Sequence, residues 1–416
     1  MLMKQYTQEK EFCTEKTETW SVLEQLAREG ARKMLQQALE LEIEEYIKSH
    51  TQDRDSSGRR TVVRNGYHPR RSIVSGMGPI SIRQPRVDSR KKHTRFTSTI
   101  LPKYLRRMPS VDNLIPYLYL KGISTNDFPQ ALSAILGEGA KGLSPTNIVR
   151  LKRCWEVEYE NWAKRDLSDK HYAYIWVDGI YFQVRLDDER SCILLIMGAD
   201  AQGKKELIAI SDGYRESKIA WREMLLDLKA RGLQEMPKLA VGDGALGFWA
   251  AAAEIFPLTR RQRCWVHKTA NILDKLPKAI QSKAKSLIHE MYQAETKKDA
   301  LGAYDHFLAA YRDKYPKAAE CLSKDSKDLF TFYDFPAAHW IHIRTTNPIE
   351  STFATIRLRT KRTKGCGSRK ATLCMVFKLA QEAQKNWRRL RGYNGEIPLV
   401  LKNRKFRDGE VVDKVA

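Results

Sequence analysis

Apolar residues recur along this chain in two rhythms. In "HYAYIWVDGIYFQVRL", residues 171–186, aromatic and β-branched residues dominate, interrupted by Asp178-Gly179; that composition predicts a strand. "CILLIMGAD" (192–200) is a continuous apolar run of the buried-strand type, "AQGKK" is a turn, and "ELIAIS" (206–211) is a third strand. Together they predict an antiparallel meander. At "ESKIAWREMLLDLKARG" (216–232) the period changes to that of an amphipathic helix, ending at Gly232. "KLAVGDG" (238–244) is a short apolar strand ending in Asp243, and "ALGFWAAAAEIF" follows directly as a helix. The order β-β-β-α-β-α predicts a mixed sheet. A helical crossover lays the fourth strand parallel to the first, and a right-handed one places it beside that strand. Asp178 and Asp243 would then stand next to each other near one edge of the sheet.

Helical spacing dominates on both sides of that block. About 90 residues after Asp243 read mainly as helices, including "KAIQSKAKSLIHEMYQ" and "ALGAYDHFLAAYRDKY". Near the N-terminus, "WSVLEQLAREGARKMLQQALELEIEEYIKSH" predicts one or two amphipathic helices, for plain packing or for dimerisation. "SIVSGMGPISIRQPR" alternates around a Gly-Met-Gly-Pro break and predicts a hairpin. Between residues 109 and 162 three helices are expected: one from near Val111 to Gly122, one capped by Ser124, and one capped by Ser144 with Pro145 at its first position. The spacing suits a helix-turn-helix, which would present Thr146, Asn147 and Arg150; a non-binding three-helix bundle has the same pattern.

Charge sharpens the picture. The chain of 416 residues carries 73 Lys and Arg against 50 acids, a formal net charge of +23. Such an excess points to a polyanionic partner, and nucleic acid is favoured because no apolar run approaches the length of a spanning helix. Nor does the polar N-terminus hold an apolar signal core. Residues 54–107 hold 15 Lys and Arg and two acids. That is the composition of a solvated arm, but Arg64, Tyr67, Arg70 and Arg71 interleave in "RNGYHPRR", which favours a phosphate-tracking surface. Seven scattered cysteines, an odd number without a CxxC pair, suggest reduced thiols in the cytoplasm.

Glu350 is the only acid between Phe335 and Gln381. Local chemistry offers a plain role: Asn347 caps a helix, Pro348 opens it, and Glu350 completes a capping box. Asp178 and Asp243 likewise each precede glycine, as turn aspartates do. Against that, both lie inside or at the end of the most apolar strands in the chain. Two buried carboxylates that converge repel each other unless a divalent cation lies between them. Glu350 shares a helical stripe with Ala354, Arg357 and Lys361, which suits a helix laid along a phosphate backbone. Two aspartates and a glutamate are hard oxygen ligands of the kind Mg²⁺ uses, and two such ions suit phosphodiester chemistry.

At "VDG" around Asp178, "GDGALGFW" around Asp243, "RQRCWVHKTANILDKLP" from Arg261 and "RTTNPIESTFATIRLRT" around Glu350, the chain closely resembles bacterial insertion-sequence transposases of the Mutator-like class. "RNGYHPRR…GMGPISIRQPR" and "KNWRRLRGY" extend the resemblance over nearly the whole length. The resemblance implies an α/β fold. A ribonuclease H-like mixed-sheet core (169–265 and 344–392) would hold Asp178, Asp243 and Glu350 as catalytic, metal-binding acids. An all-α insertion (266–343) would split it. A mainly helical N-terminal DNA-binding region would precede it, made of a helical segment (1–53), a basic hairpin arm (54–107) and a helix-turn-helix-like segment (108–168). Residues 393–416 would form a C-terminal tail. The expected cofactor is Mg²⁺, two ions, with Mn²⁺ able to substitute. The expected partners are double-stranded DNA, both terminal inverted repeats and target, and further copies of the chain. The expected location is the cytoplasm, at the nucleoid. Cys264 and His267 belong to the family's CxxH element near the active site, implying a structural or DNA-adjacent role; a zinc site completed by His339 and His342 is the alternative. Trp340 is either a core residue or a stacking platform for an unpaired base. A transposase-derived protein that only binds DNA, or a nuclease that cuts without joining, remain rival readings.

Overall fold

The computed structural model describes residues 2–89, 96–111, 114, 118, 123, 128–136, 145–183, 190–213, 215–244, 246–362 and 368–412. Side chains are described for these except at 2–21, 128–129, 145–152, 183, 190–191, 246, 355 and 359–362. The chain forms two compact units, Met1–Leu151 and Lys152–Ala416.

The first unit begins with one long helix, α1 (Leu2–Ser49). Strands β1 (Val62–Tyr67), β2 (Arg71–Ser75), β3 (Gly78–Ile82) and β4 (Pro85–Ser89) make two antiparallel pairs, β1 with β4 and β2 with β3. The expected hairpin is β2–β3, closed by Gly76-Met77 between the paired Ser75 and Gly78. Gly78 has a φ of 99°, and a Cβ there would stand 2.7 Å from the Leu136 carbonyl oxygen, so both conformation and space require glycine. Alternation along the hairpin buries Ile73, Ile80 and Ile82 against Leu39 of α1 and Leu101. The Glu42 carboxylate secures the chain beyond β4 by accepting from Ser98, Thr99 and Ile100. Helix α2 (Phe128–Leu136) and the start of α3 (Pro145–Ala163) match two of the three helices expected in this region. Most of the first expected helix, together with Ser124 and Ser144, lies outside the described residues.

The second unit is built on a five-stranded sheet. Strands β5 (Tyr172–Gln183), β6 (Arg190–Asp200) and β7 (Lys205–Gly213) form the antiparallel meander, and α4 (Lys218–Ala230) crosses back to β8 (Leu239–Gly242). β8 lies parallel beside β5, as the element order predicted. After α5 (Leu246–Ile255), a strand not expected from the sequence, β9 (Arg260–Arg263), joins in parallel, giving the order β7-β6-β5-β8-β9. Trp221 and Leu225 of α4 and Phe248 and Ala251 of α5 cover one face, against Ile175, Val177, Leu194 and Ile196.

Helices α6 (Trp265–Leu273), α7 (Lys278–Gln293), α8 (Lys297–Tyr311), α9 (Pro316–Ser323), α10 (Ser326–Leu329) and α11 (Trp340–Ile343) follow. Then α12 (Asn347–Arg362) packs on β5 and α13 (Arg369–Gln384) on β7. Within the expected C-terminal tail, residues 393–412 carry regular structure. They form α14 (Glu396–Leu401) and the hairpin β10 (Phe406–Arg407) with β11 (Glu410–Val411). Ile397 and Val400 are buried, and the Gly409 amide donates to the Tyr333 carbonyl.

Candidate active site

Strand register assembles the site. Val177 of β5 pairs with Gly242 of β8, and Gly242 with Arg263 of β9. The next residue on each segment is therefore Asp178, Asp243 and Cys264, in a row where β8 and β9 end and β5 runs on to Gln183. Ligand sites of open α/β sheets lie at such carboxyl ends. The Cys264 amide donates to the Gly242 carbonyl at 2.8 Å, extending the β8–β9 ladder by one step. Helix α6 starts immediately and presents His267.

Asp178 is only 8% exposed, and Gly179 donates its amide to the carboxylate at 2.8 Å. Burial, and then the charge of Asp243, push the Asp178 carboxyl up to about 7, against that bond and the nearby His267. A fourth acid stands here that sequence reading passed over. A Cβ on Gly179 would lie 2.3 Å from Glu216 Oε1, so the Glu216 side chain crosses directly over this glycine. Burial and Asp243 raise the Glu216 carboxyl too, opposed by a hydrogen bond with Tyr181. Its sequence setting, "DGYRES", reads only as a polar lead into α4.

Glu350 reaches the site from α12. The expected capping box is shifted. The Thr346 carbonyl accepts the Ile349 and Glu350 amides, at 2.9 and 3.0 Å, so Thr346 rather than Asn347 starts the helix. Glu350 Oε1 does not return to the cap amide; it accepts from the Thr346 hydroxyl at 2.9 Å and stands 3.6 Å from His267 Nδ1. The cap role thus passes to the Thr346 backbone, leaving the carboxylate on the side of α6. The opposite stripe of α12, with Ile349, Thr352, Phe353 and Ile356, is buried. Ala354 and Arg357, on Glu350's stripe, are exposed. The Arg357 guanidinium lies 5.8 Å from the Phe353 ring. Lys361 lies within α12, its side chain outside the described set.

Cys264 and His267 are brought together with Glu350; their three ligand atoms lie within 4.8 Å of one another. His267 is pushed up to about 9 by its bond with Cys264, against burial and with help from Asp243 and Asp178. Burial raises the Cys264 thiol, but bonds with His267 and Thr346 outweigh it and hold the thiol below its ordinary range. His339 and His342 do not complete a zinc pair with them: His339 Nδ1 meets the Tyr174 hydroxyl at 2.7 Å, and His342 Nε2 accepts the Arg391 amide at 3.3 Å. Trp340 is half-buried against Phe332 and Tyr333, with its indole N–H donated to the Phe335 carbonyl at 2.8 Å.

In the N-terminal unit, Arg64 and Tyr67 both bond Glu40, at 2.6 and 2.9 Å, and the guanidinium groups of Arg64 and Arg83 lie 5.2 and 5.1 Å from the Tyr67 ring. Arg70 is exposed. Arg71 clasps the carbonyls of Leu101, Pro102 and Lys103. Thr146, Asn147 and Arg150 fall in the first turns of α3, where side chains are outside the described set.

Comparison with known proteins gives this arrangement a class. The model of the Mutator family of transposases matches residues 2–390, and the chain belongs to that family. It is similar to the transposase for insertion sequence element IS6120 of Mycolicibacterium smegmatis, 49% identical over 304 residues, which are 73% of this chain and 93% of that protein. The transposase for element IST2 of Acidithiobacillus ferrooxidans is 53% identical over 258 residues, 62% of this chain and 87% of that protein. A more distant relative, the transposase for element ISRM5 of Rhizobium meliloti, is 27% identical over 365 residues, 86% of this chain and 88% of that protein. The family makes this a DNA-processing enzyme of a transposable element. Among the described residues no helix is long and apolar enough to cross a membrane.

Proposed function

We propose that the chain cleaves a phosphodiester at each end of its element and joins the freed 3′-hydroxyl to target DNA, with Asp178, Asp243 and Glu350 as the catalytic acids. The observation that carries this reading is the strand register, which sets Asp178 directly beside Asp243 on neighbouring parallel strands. The sheet order and directions support a ribonuclease H-like core, interrupted by the helices of residues 266–343.

The donor set fits a hard divalent ion. Asp178 is buried, and its carboxyl is driven up by burial and by its neighbour's charge, a conflict that a cation between the two acids relieves. Asp178, Asp243 and Glu350 would hold Mg²⁺, with Mn²⁺ able to substitute. When bound, two such ions supply activation of a water or 3′-hydroxyl and stabilisation of the leaving oxygen. The protein's own part is placement. The strands fix the two aspartates, α12 brings up Glu350, and the basic residues that follow it, Arg357, which is exposed, and Lys361, would lie along the DNA phosphates. The basic N-terminal unit, through the 64–71 segment and the start of α3, grips the terminal inverted repeats. Pairing of two copies through α1 is supported by Val22, Leu23, Leu26 and Met34, all exposed apolar residues on that helix.

The test uses Asp178→Asn, Asp243→Asn and Glu350→Gln in the full chain, with DNA carrying the inverted repeats that flank its gene. Each variant should lose Mg²⁺-dependent cleavage while keeping repeat binding. Near-normal cleavage by Glu350→Gln would reduce Glu350 to a structural residue. Cleavage without joined products in the unaltered chain would make it a nuclease. Binding without cleavage would make it a DNA-binding derivative.

A further inference from the structure

In this ion-free structure Glu350 groups with Cys264 and His267, whose ligand atoms lie within 4.8 Å of its own, rather than with the two aspartates. A thiol, an imidazole and a carboxylate form a softer set than the all-oxygen one that suits Mg²⁺. A fourth residue changes the interpretation. The Thr346 hydroxyl lies 3.2 Å from Cys264 Sγ, 3.3 Å from His267 Nδ1 and 2.9 Å from Glu350 Oε1. Its backbone amide is also 3.2 Å from Cys264 Sγ. A hydroxyl has one proton to give and two lone pairs. One assignment fits the single hydroxyl proton: the Thr346 hydroxyl donates to Glu350 and accepts from His267 Nδ1–H, while its amide donates to the Cys264 sulfur, which also bonds His267. All three potential ligand atoms are thus already engaged by one fully buried residue, which a metal would have to displace.

We propose that Thr346 is a positioning residue for Glu350, fixing its carboxylate relative to the strand end that bears Asp243. A glutamate at a helix start has several free torsions, and Glu350 is half-exposed. Thr346 is β-branched, stiff and fully enclosed. Its amide is held on Cys264, and Cys264 is held by its own amide on Gly242, the residue before Asp243. A second tie joins the same segments, since the Trp265 amide donates to the Arg344 carbonyl at 3.0 Å. A continuous line of bonds therefore runs from Asp243's strand through Cys264 and Thr346 to Glu350. It ties the segment that carries Glu350 to the strand that carries Asp243, and a catalytic constellation needs such fixed placement. The inference rests on Glu350 being catalytic, as proposed above.

The test compares full-length Thr346→Val, Thr346→Ser and Glu350→Gln in single-turnover cleavage at saturating DNA, over a range of Mg²⁺ concentrations. Valine keeps the branched shape and the backbone amide but removes the hydroxyl; serine restores it. Thr346→Val should cleave on the order of 10- to 100-fold more slowly and need more Mg²⁺ for half-maximal rate. Its repeat affinity should be unchanged, and Thr346→Ser should recover to within a few-fold of the unaltered chain. A purely structural role would not shift the Mg²⁺ dependence or be reversed by serine. If Thr346→Val does not fold, Thr346→Ala, which leaves space beside the sulfur, is measured in its place with the same expectation. A folded valine or alanine variant with normal rate and Mg²⁺ dependence, beside an inactive Glu350→Gln, overturns the positioning role and leaves the catalytic one standing. An active Glu350→Gln overturns the catalytic reading itself. Stoichiometric zinc in the purified chain, lost in Cys264→Ser, would also overturn the proposal, because the metal would occupy the bonds assigned to Thr346.

Discussion

Replacing Asp178 by Asn should make the protein more stable at neutral pH while disabling it. The folded state holds the Asp178 carboxyl up at about 7, against about 3.9 in an unfolded chain. Between those values the folded protein binds a proton that the unfolded chain does not. Stability therefore falls as pH rises from about 4 to about 7 and is flat above. Three units correspond to about 4 kcal/mol at 1.36 kcal/mol each, an upper bound. With Asp178 at 8% exposure, solvent screening removes little of it. Asn keeps the acceptor for the Gly179 amide but loses the attraction to His267, so a net gain of about 2 kcal/mol is expected. For a unit of this size that is roughly 4–8 °C in Tm. The assay is thermal unfolding of both proteins from pH 4.5 to 8 without divalent ions. Their difference should be near zero at the acid end, grow through pH 6 and level off above 7. Other titrating groups are common to both proteins and drop out to first order. Mg²⁺ at neutral pH should raise the Tm of the unaltered chain and not that of Asp178→Asn, since a ligand of the folded state stabilises by mass action. A pH-independent difference, or a variant less stable at pH 8, would refute the claim that burial, with the charge of Asp243 beside it, holds the Asp178 carboxyl up.

A fragment of residues 1–165 should shift DNA carrying the inverted repeats, with affinity falling steeply as salt rises; no preference over random duplex would remove the sequence-reading part of its role. Arg357→Ala should cost about 1 kcal/mol in DNA affinity but a larger factor in joining rate at saturating DNA, and wild-type joining by that variant would show that the exposed stripe of α12 does not face the substrate. Gly179→Ala should lower cleavage, because its methyl needs the space held by the Glu216 carboxylate and displaces it from beside Asp178; unchanged cleavage with a normal Tm would show that the Glu216 position is immaterial.

Much of the candidate site was legible because the proposed acids occupy improbable settings. Asp178 interrupts an aromatic and β-branched run, Asp243 ends an apolar strand, and Glu350 is alone in a basic segment. The element order was enough to set β8 beside β5. What escaped was carried by tertiary contact. Strand β9, "RRQR", has no apolar residue to announce it. It is held instead by backbone pairing and by Gln262, buried and bonded to the Leu329 carbonyl and the Phe332 amide. Only the family resemblance set Cys264 and His267 near the active site; without β9, no local pattern brings them to a glutamate some eighty residues further on. The cap moved from Asn347 to Thr346 for a similar reason: the hydroxyl and amide of Thr346 find partners on Cys264 and His267 that local propensity does not include. Glu216 was invisible because a polar loop before a helix is the ordinary place for an exposed acid.

A joining assay that bypasses cleavage tests most directly whether one acidic site performs both steps. A short duplex ending in the element's inverted repeat, already processed to a free 3′-hydroxyl, is incubated with a supercoiled plasmid, Mg²⁺ and the full-length chain. The unaltered protein should link the repeat covalently to the plasmid, and Glu350→Gln, bound to the same duplex, should yield no joined product. Joining by Glu350→Gln, or none by the unaltered chain under conditions where it cleaves, would contradict the claim that one acidic site performs both steps.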